Sequence, residues 1–121
     1  MATHQQLVDM ILGKLAHVQG NLGCMVVSKD GEVMGSRLDR RFARDEIAAM
    51  VCDMVGMCHL AAEQCNLDRP DTMMIEGEAS KIAVFMAERD IGYIFLLGKP
   101  GMLVGMSKIV LGEILDEFEK E

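Results

Sequence analysis

At residues 73–78 the sequence reads Met73-Met74-Ile75-Glu76-Gly77-Glu78. Apolar residues followed by a glycine between two glutamates predict a strand, Thr72–Glu76, that ends in a turn. Two further runs follow at short distances, Lys81–Ala87 and Gly92–Leu97, and both are rich in residues typical of strands. Short connections require neighbouring strands to be antiparallel. The second half of the chain therefore predicts a three-stranded antiparallel meander.

A helix and a hairpin are predicted ahead of this meander, and another helix is predicted after it. The first helix ends at Gly20-Asn21, where a glycine interrupts the apolar pattern. The strands Gly23–Ser28 and Val33–Ser36 flank an Asp-Gly pair, Asp30-Gly31, which favours a tight hairpin turn. The closing helix spans roughly Met102–Lys120, where apolar residues recur at spacings of three and four.

The central helix, Ile47–Cys65, carries apolar residues around most of its circumference. At ~100° per residue the apolar arc spans roughly 220°, which is wider than the stripe of a one-faced surface helix. A chain of 121 residues has too few elements to cover such a helix, so we expect one sector to pack on its own sheet and the adjoining sector to meet a second copy. The sector expected on the sheet comprises Ile47, Met50, Val51, Met54, Cys58, Ala61 and Cys65. The sector expected at the dimer seam comprises Ala48, Cys52, Val55, His59 and Ala62.

These elements predict an α+β fold in the order α-β-β-α-β-β-β-α. Both faces of the strand Lys81–Ala87 are apolar, so helices should cover both faces of the sheet. We expect a five-stranded antiparallel sheet with two helices on one face and the central helix on the other. The length is that of one domain, residues 1–121.

Composition limits the classes of partner. The net charge of −7 and the isoelectric point near 4.9 argue against binding to nucleic acid or to an anionic membrane surface, because both need a basic face. No apolar run approaches the ~20 residues of a membrane span, and no basic-then-apolar leader opens the chain. We therefore expect a cytoplasmic protein without membrane insertion. Its cysteines should be reduced thiols; they are Cys24, Cys52, Cys58 and Cys65.

The sequence carries no pattern that predicts catalysis or a bound cofactor. The glycines and lysines near Gly98-Lys99 and Gly105 are in the wrong order for a phosphate-binding loop, and no serine occupies a nucleophile elbow. Cys58 and Cys65 nearly coincide on the helical wheel, but His59 points ~100° away, so the three do not converge on one metal ion within a single chain. We expect a protein that is not an enzyme and that holds neither a metal nor a cofactor.

Four stretches of the chain carry a resemblance to a known family. They are Gly23–Val33, Asp45–Met50, Met74–Glu78 and the ending from Ile94 to Phe118. Their order and spacing resemble the Roadblock/LC7 domain proteins over nearly the whole chain, which implies that family's profilin-like fold. The resemblance also implies a homodimer in which the central helices pair and the strand Thr72–Glu76 pairs with its twin. The strand residues implied at that interface are Thr72, Met74 and Glu76.

The resemblance further implies a function in protein–protein recognition. Members of the family are non-catalytic regulators and scaffolds: dynein light chains, lysosomal scaffold subunits, and bacterial proteins that act on Ras-like polarity GTPases. Our leading hypothesis is a homodimeric adaptor that binds a small Ras-like GTPase and modulates its activity or location. The residues expected to line a partner-binding groove on the dimer are Ala49, Asp53, Gly56, Leu60 and Glu63.

Two other functions stay open at this point. The first is a scaffold or motor light-chain subunit that captures a helix of a larger protein without a GTPase. The second is a small-molecule sensor domain, because the twelve methionines could line an interior site as well as fill a solid core.

Overall fold

The computed structural model describes residues 3–86 and 91–120. Its elements follow the predicted order α-β-β-α-β-β-β-α, which confirms the predicted fold class. Ala87, the last residue of the predicted strand Lys81–Ala87, lies outside the described residues, as do residues 88–90 and Glu121. The elements are α1 (His4–Leu15), β1 (Asn21–Val27), β2 (Val33–Arg37), α2 (Arg44–Gln64), β3 (Thr72–Glu76), β4 (Lys81–Met86), β5 (Tyr93–Gly98) and α3 (Val104–Lys120).

Local sequence explains where the first elements begin and turn. A capping box opens α1: the Thr3 hydroxyl accepts from the Gln6 backbone N–H at 3.1 Å, and the Gln6 side chain accepts from the Thr3 N–H at 2.7 Å. The hairpin between β1 and β2 turns at Gly31, whose φ of +89° suits glycine. The hydroxyl of Ser28 closes this turn by accepting from the backbone N–H of Glu32 at 3.0 Å.

The five strands form one antiparallel sheet in the order β2-β1-β5-β4-β3. β1, β5 and β4 lie inside the sheet, and their side chains alternate between two covered faces. β2 and β3 are the edges. β3 pairs only with β4 among the described residues, with Met74 opposite Ala83 and Ile75 opposite Ile82. One side of β3 therefore carries backbone groups with no strand partner in this chain.

Each face of the sheet carries its own hydrophobic core. On one face α1 and α3 pack together over strand residues such as Val26, Phe85 and Leu96. On the other face α2 packs over the alternate residues, among them Met25 and Phe95. Each fully buried side chain of this kind contributes about 1.5–3 kcal/mol relative to an exposed one. Two helices on one face and the central helix on the other is the predicted arrangement.

The structure corrects the predicted orientation of α2 about its own axis. The side chains that face the sheet include Ala48, Val55 and Ala62, which are 0%, 3% and 7% exposed. Successive residues of an α-helix are ~100° apart around its axis, so the helix is rotated about its axis by about 80° from the predicted orientation. The alanines allow the helix backbone to approach the sheet closely, so the bulkier methionines are left on the outside. Of the sector predicted to face the sheet, Val51 is buried, and Ile47, Met54 and Cys58 pack half-buried against the same core. The exposed members are Met50, Ala61 and Cys65.

Candidate functional site

The outer face of α2 exposes large apolar side chains. Met50, Met57 and Leu60 are 53%, 66% and 51% exposed in the single chain. All five residues predicted to line a partner-binding groove lie on this same face and are exposed: Ala49, Asp53, Gly56, Leu60 and Glu63. An exposed apolar surface on one helix is typical of a protein–protein interface rather than of a solvated helix.

The residues predicted at the dimer seam do not lie on this outer face. Because Ala48, Val55 and Ala62 are already buried against the chain's own sheet, they have no surface to offer a second copy. Cys52 is half-buried, and its thiol bonds to a loop of the same chain. His59 is also half-buried. In this orientation of α2, Ala48, Val55 and Ala62 are therefore not available to a seam, and the remainder of the predicted interface stays a prediction.

The two sides of the outer face point toward different strands. The Cys52 thiol lies 3.5 Å from the Ser28 carbonyl oxygen and 3.6 Å from that of Lys29, so its side of α2 faces the β1–β2 hairpin. Met50 and Met57 lie about 160° and about 140° around the helix from Cys52, at ~100° per residue. These two residues, named here the methionine flank, therefore face away from the hairpin.

The opposite side of the outer face is made of small and polar residues. Ala49, Gly56 and Glu63, named here the small flank, lie within about 60° of Cys52 around the helix. The hairpin comes close to this flank, since a Cβ placed on Gly31 would lie 3.8 Å from the Ala49 Cα. No heavy atom lies within 4 Å of a Cβ placed on Gly56. The small flank is thus an open, shallow surface beside the hairpin.

The edge strand β3 also exposes apolar side chains. Ile75 is 47% exposed and lies on the α2 face of the sheet, opposite its β4 neighbour Ile82. Of the strand residues implied at an interface, Met74 is 43% exposed, Glu76 is exposed and Thr72 is half-buried. The α2 face of the sheet therefore exposes Ile75 beside an open strand edge, in addition to the methionine flank of α2.

The sequence analysis missed Met50, Met57 and Ile75 as interface candidates. The helical wheel places both methionines next to the predicted groove residues, and strand alternation places Ile75 on the same face as Met73. Those two signals were present in the sequence. They became informative only once the orientation of α2 was known.

Two cysteine thiols, one in the α1–α3 core and one beside the α2 core, are held in their neutral form. Burial raises the pKa of Cys24 to about 11, an effect that Arg37 partly opposes. Burial also raises the pKa of Cys52, and the carboxylates of Asp53 and Asp30 add to the rise. A thiol with a raised pKa is a poor nucleophile and a poor metal ligand at neutral pH.

Two surface grooves lie on the far side of the molecule from β3. One has a volume of about 580 Å³ and runs between the β1–β2 hairpin and the first turn of α2, from Gly31 to Asp45. The other has a volume of about 270 Å³ and is bordered by Leu38, Phe42 and Arg44. Both border the edge strand β2 or the loop after it, so a ligand there would not compete with pairing through β3.

Over residues 3–86 and 91–120, no group of three or more His, Cys, Asp and Glu side chains is close enough to hold a metal ion. In the same part of the chain, no helix combines the length and apolar character needed to cross a bilayer.

Comparison with known proteins identifies the family. A family model described as the Roadblock/LC7 domain matches residues 7–97, which is most of the chain. The chain belongs to the Roadblock/LC7 domain family, as its sequence pattern predicts. A relative in Methanocaldococcus jannaschii, described as uncharacterized protein MJ0714, is 26% identical over 115 residues that cover 95% of this chain and 96% of that protein.

Solved structures of the same fold include proteins from two bacteria. MglB of Myxococcus xanthus superposes with a TM-score of 0.81 at 12% identity, over 99% of this chain and 90% of that one. A Roadblock/LC7 domain from Streptomyces avermitilis superposes with a TM-score of 0.76 at 15% identity, over 93% and 94% of the two chains. At these identities the likeness establishes the fold.

Proposed function

We propose that this protein is a non-catalytic, homodimeric adaptor that binds a small Ras-like GTPase and modulates its activity or location. Membership of the Roadblock/LC7 family supports a regulatory adaptor. The observations that carry the proposal are the open edge of β3 and the exposed methionine flank of α2, which covers the same face of the sheet as Ile75.

Self-association through this region satisfies two physical requirements at once. Pairing of two β3 edges gives hydrogen-bond partners to backbone groups that the chain leaves open. The same approach covers Met50, Met57 and Ile75, which are each about half exposed or more in the single chain. Methionine side chains suit such a seam because flexible thioethers adapt to the opposing surface. The seam proposed here uses the methionine flank, not the buried side chains of α2.

The small flank stays available for the GTPase after this pairing. Ala49, Gly56 and Glu63 face the β1–β2 hairpin, away from β3, and Asp53 and Leu60 lie between the two flanks. The small flank and the methionine flank lie about 80–140° apart around α2, so we expect both surfaces to be occupied together. The adaptor would act by positioning the loops of the bound GTPase, with no catalytic group of its own.

The mass in solution tests the dimer. Light scattering across a dilution series should give twice the 13.3 kDa of one chain. A chain that remains monomeric at every concentration would contradict the seam and, with it, the dimeric adaptor.

Capture from native lysate tests the GTPase. The immobilised protein should retain a small GTPase whose recovery differs between GDP and a non-hydrolysable GTP analogue. Leu60→Asp should abolish that capture, whereas Leu103→Asp, which alters an equally exposed leucine at the start of α3 on the other face of the sheet, should leave it intact. Capture of a larger protein whose recovery is the same with either nucleotide would favour the scaffold or light-chain function instead.

A further inference from the structure

The helix α3 carries a second exposed apolar surface, on the face of the sheet opposite α2. Leu103, which precedes the helix, is 44% exposed, and Met106 and Ile109 within it are 48% and 58% exposed. At ~100° per residue these three side chains lie within an arc of about 120°. The buried side of α3, which includes Ile114, already supplies its packing on α1 and the sheet. The exposed arc therefore serves no contact within the described chain.

Acidic residues continue the same arc toward the end of the helix. Glu113 and Glu117 lie within about 20° of Met106 around the helix, and both are exposed. Like charges four residues apart repel each other, and carboxylates near a helix C-terminus also oppose the helix dipole. Within residues 3–86 and 91–119 neither carboxylate has an ion-pair or hydrogen-bond partner. This half of the arc is thus unfavourable for the isolated helix.

We propose that this arc of α3 binds a basic amphipathic helix of a partner protein. Apolar side chains of the partner would cover Leu103, Met106 and Ile109, and lysines or arginines one to two turns further along would pair with Glu113 and Glu117. Such pairing removes the repulsion between the two carboxylates. A helix fits better than a strand because the exposed side chains follow helical spacing, which offers ridges and grooves for a second helix.

The charge pattern selects this occupant over a second copy of the chain. A second α3 in parallel would place carboxylates against carboxylates. A second α3 in antiparallel orientation would place carboxylates against the apolar half of the arc. Either arrangement leaves charge unpaired at an interface, which is costly. An anionic lipid surface is repelled by the same carboxylates.

This surface is separate from the proposed seam and from the small flank. The small flank lies on α2 and the seam on α2 and the outer edge of β3, whereas α3 covers the other face of the sheet. A homodimer would therefore present two such arcs in addition to its GTPase surface, and the test does not depend on the dimer.

A synthetic peptide tests the inference on the full chain. The probe is a helix of about 18 residues, five turns, with leucines on one face of its first half and lysines on the same face of its second half. The control peptide has glutamates in place of the lysines. Fluorescence anisotropy at physiological salt should detect binding of the lysine peptide and not of the control peptide.

Matched variants locate the site. Glu113→Lys with Glu117→Lys should weaken binding at least about tenfold, because charge reversal turns attraction into repulsion. Glu32→Lys with Glu78→Lys changes the net charge equally at two exposed positions elsewhere and should leave affinity within about twofold. Ile109→Ser should weaken binding several-fold through lost apolar contact. If the chain with Glu113→Lys and Glu117→Lys does not fold, Glu113→Gln with Glu117→Gln replaces it, and we expect a smaller loss of peptide affinity.

Three results would overturn the inference. Equal losses in the two charge-reversal variants would show attraction to the overall charge of the protein only. Unchanged affinity of Ile109→Ser would remove the apolar half of the arc. A change of oligomeric mass on Ile109→Ser without any peptide would assign the arc to a second copy.

Discussion

Lys108 on α3 donates from its Nζ to the Asp71 carboxylate at 2.8 Å, and so ties the last helix to the residue that precedes β3. The same ammonium group donates to the Thr72 hydroxyl at 3.0 Å. Thr72 in turn donates to Asp71 at 3.1 Å. These three side chains fasten α3 to the start of the strand whose outer edge we propose as the dimer interface.

Lys108→Met should raise the pKa of Asp71 toward its ordinary value of 3.8. Hydrogen bonds from Lys108 and then from Thr72 lower that pKa, because they favour the charged carboxylate. A carboxylate whose pKa is lowered by folding stabilises the folded state at pH values above its ordinary pKa. This contribution is lost as the pH falls through the lowered pKa. Both side chains are about half exposed, so we expect a small effect on overall stability. NMR titration of the Asp71 carboxylate measures the change in its pKa, and Lys14→Met is the control. If Lys108→Met leaves the pKa of Asp71 unaltered, Lys108 is not the cause of its low value.

Met57→Glu should convert the dimer to the monomer. It places a charge on the methionine flank, where the seam must exclude water. The mass measured by light scattering should fall from twice 13.3 kDa to 13.3 kDa, at concentrations where the unaltered chain is dimeric. Met106→Glu, the same change at an exposed methionine of α3, should leave the mass at that of the dimer. Equal behaviour of the two variants would place the seam elsewhere.

Val55→Ala should lower the free energy of unfolding by about 2 kcal/mol, through lost burial and the small cavity left behind. Val55 is only 3% exposed and packs between α2 and the sheet. Urea unfolding at a fixed protein concentration measures the loss, and Glu63→Ala on the exposed face should change stability by less than about 0.5 kcal/mol. A near-neutral Val55→Ala would contradict the burial of this side chain between α2 and the sheet.

Gly112→Ala should stabilise the protein by up to about 1 kcal/mol, because alanine favours a helix interior over glycine. No heavy atom lies within 4 Å of a Cβ placed there, so the substitution meets no obstacle. Gly20→Ala should have the opposite effect, since Gly20 has a φ of +88° and its Cβ would lie 2.6 Å from the Met102 Cα. Thermal unfolding compares the two variants; a stabilising Gly20→Ala would contradict the close packing of the loop on Met102.

Alkylation should modify Cys65 first and Cys24 last. The Cys65 thiol is exposed, whereas Cys24 is fully buried and its thiol donates to the Leu12 carbonyl at 3.7 Å. With its pKa raised to about 11, Cys24 is almost entirely neutral at about pH 8, and the thiolate is the reactive form. Peptide mapping after timed exposure to iodoacetamide gives the order. Rapid modification of Cys24 in the folded protein would contradict its burial.

Hydrophobic periodicity was enough to predict the order of elements and the two-faced sheet. Strand alternation in Lys81–Ala87 is apolar on both faces, which requires helices on both, and the glycines at 20 and 31 mark turns that the structure contains. The bounds of β3 agree with those predicted, Thr72–Glu76, because a strand that ends in a glycine-containing turn is specified locally. The predicted groove residues share one exposed face because their spacing alone places them on one side of a helix.

The tertiary structure alone decided which side of α2 faces the sheet. The helical wheel shows two adjoining apolar sectors, and periodicity gives both of them the same preference for facing the sheet. The choice between them depends on how closely the helix axis can approach β1, β5 and β4. The small side chains of Ala48 and Ala62 permit that approach, and long methionine side chains do not. This packing constraint involves residues from four separate elements, so the pattern of any one element does not reveal it. The same constraint leaves Met50 and Met57 exposed.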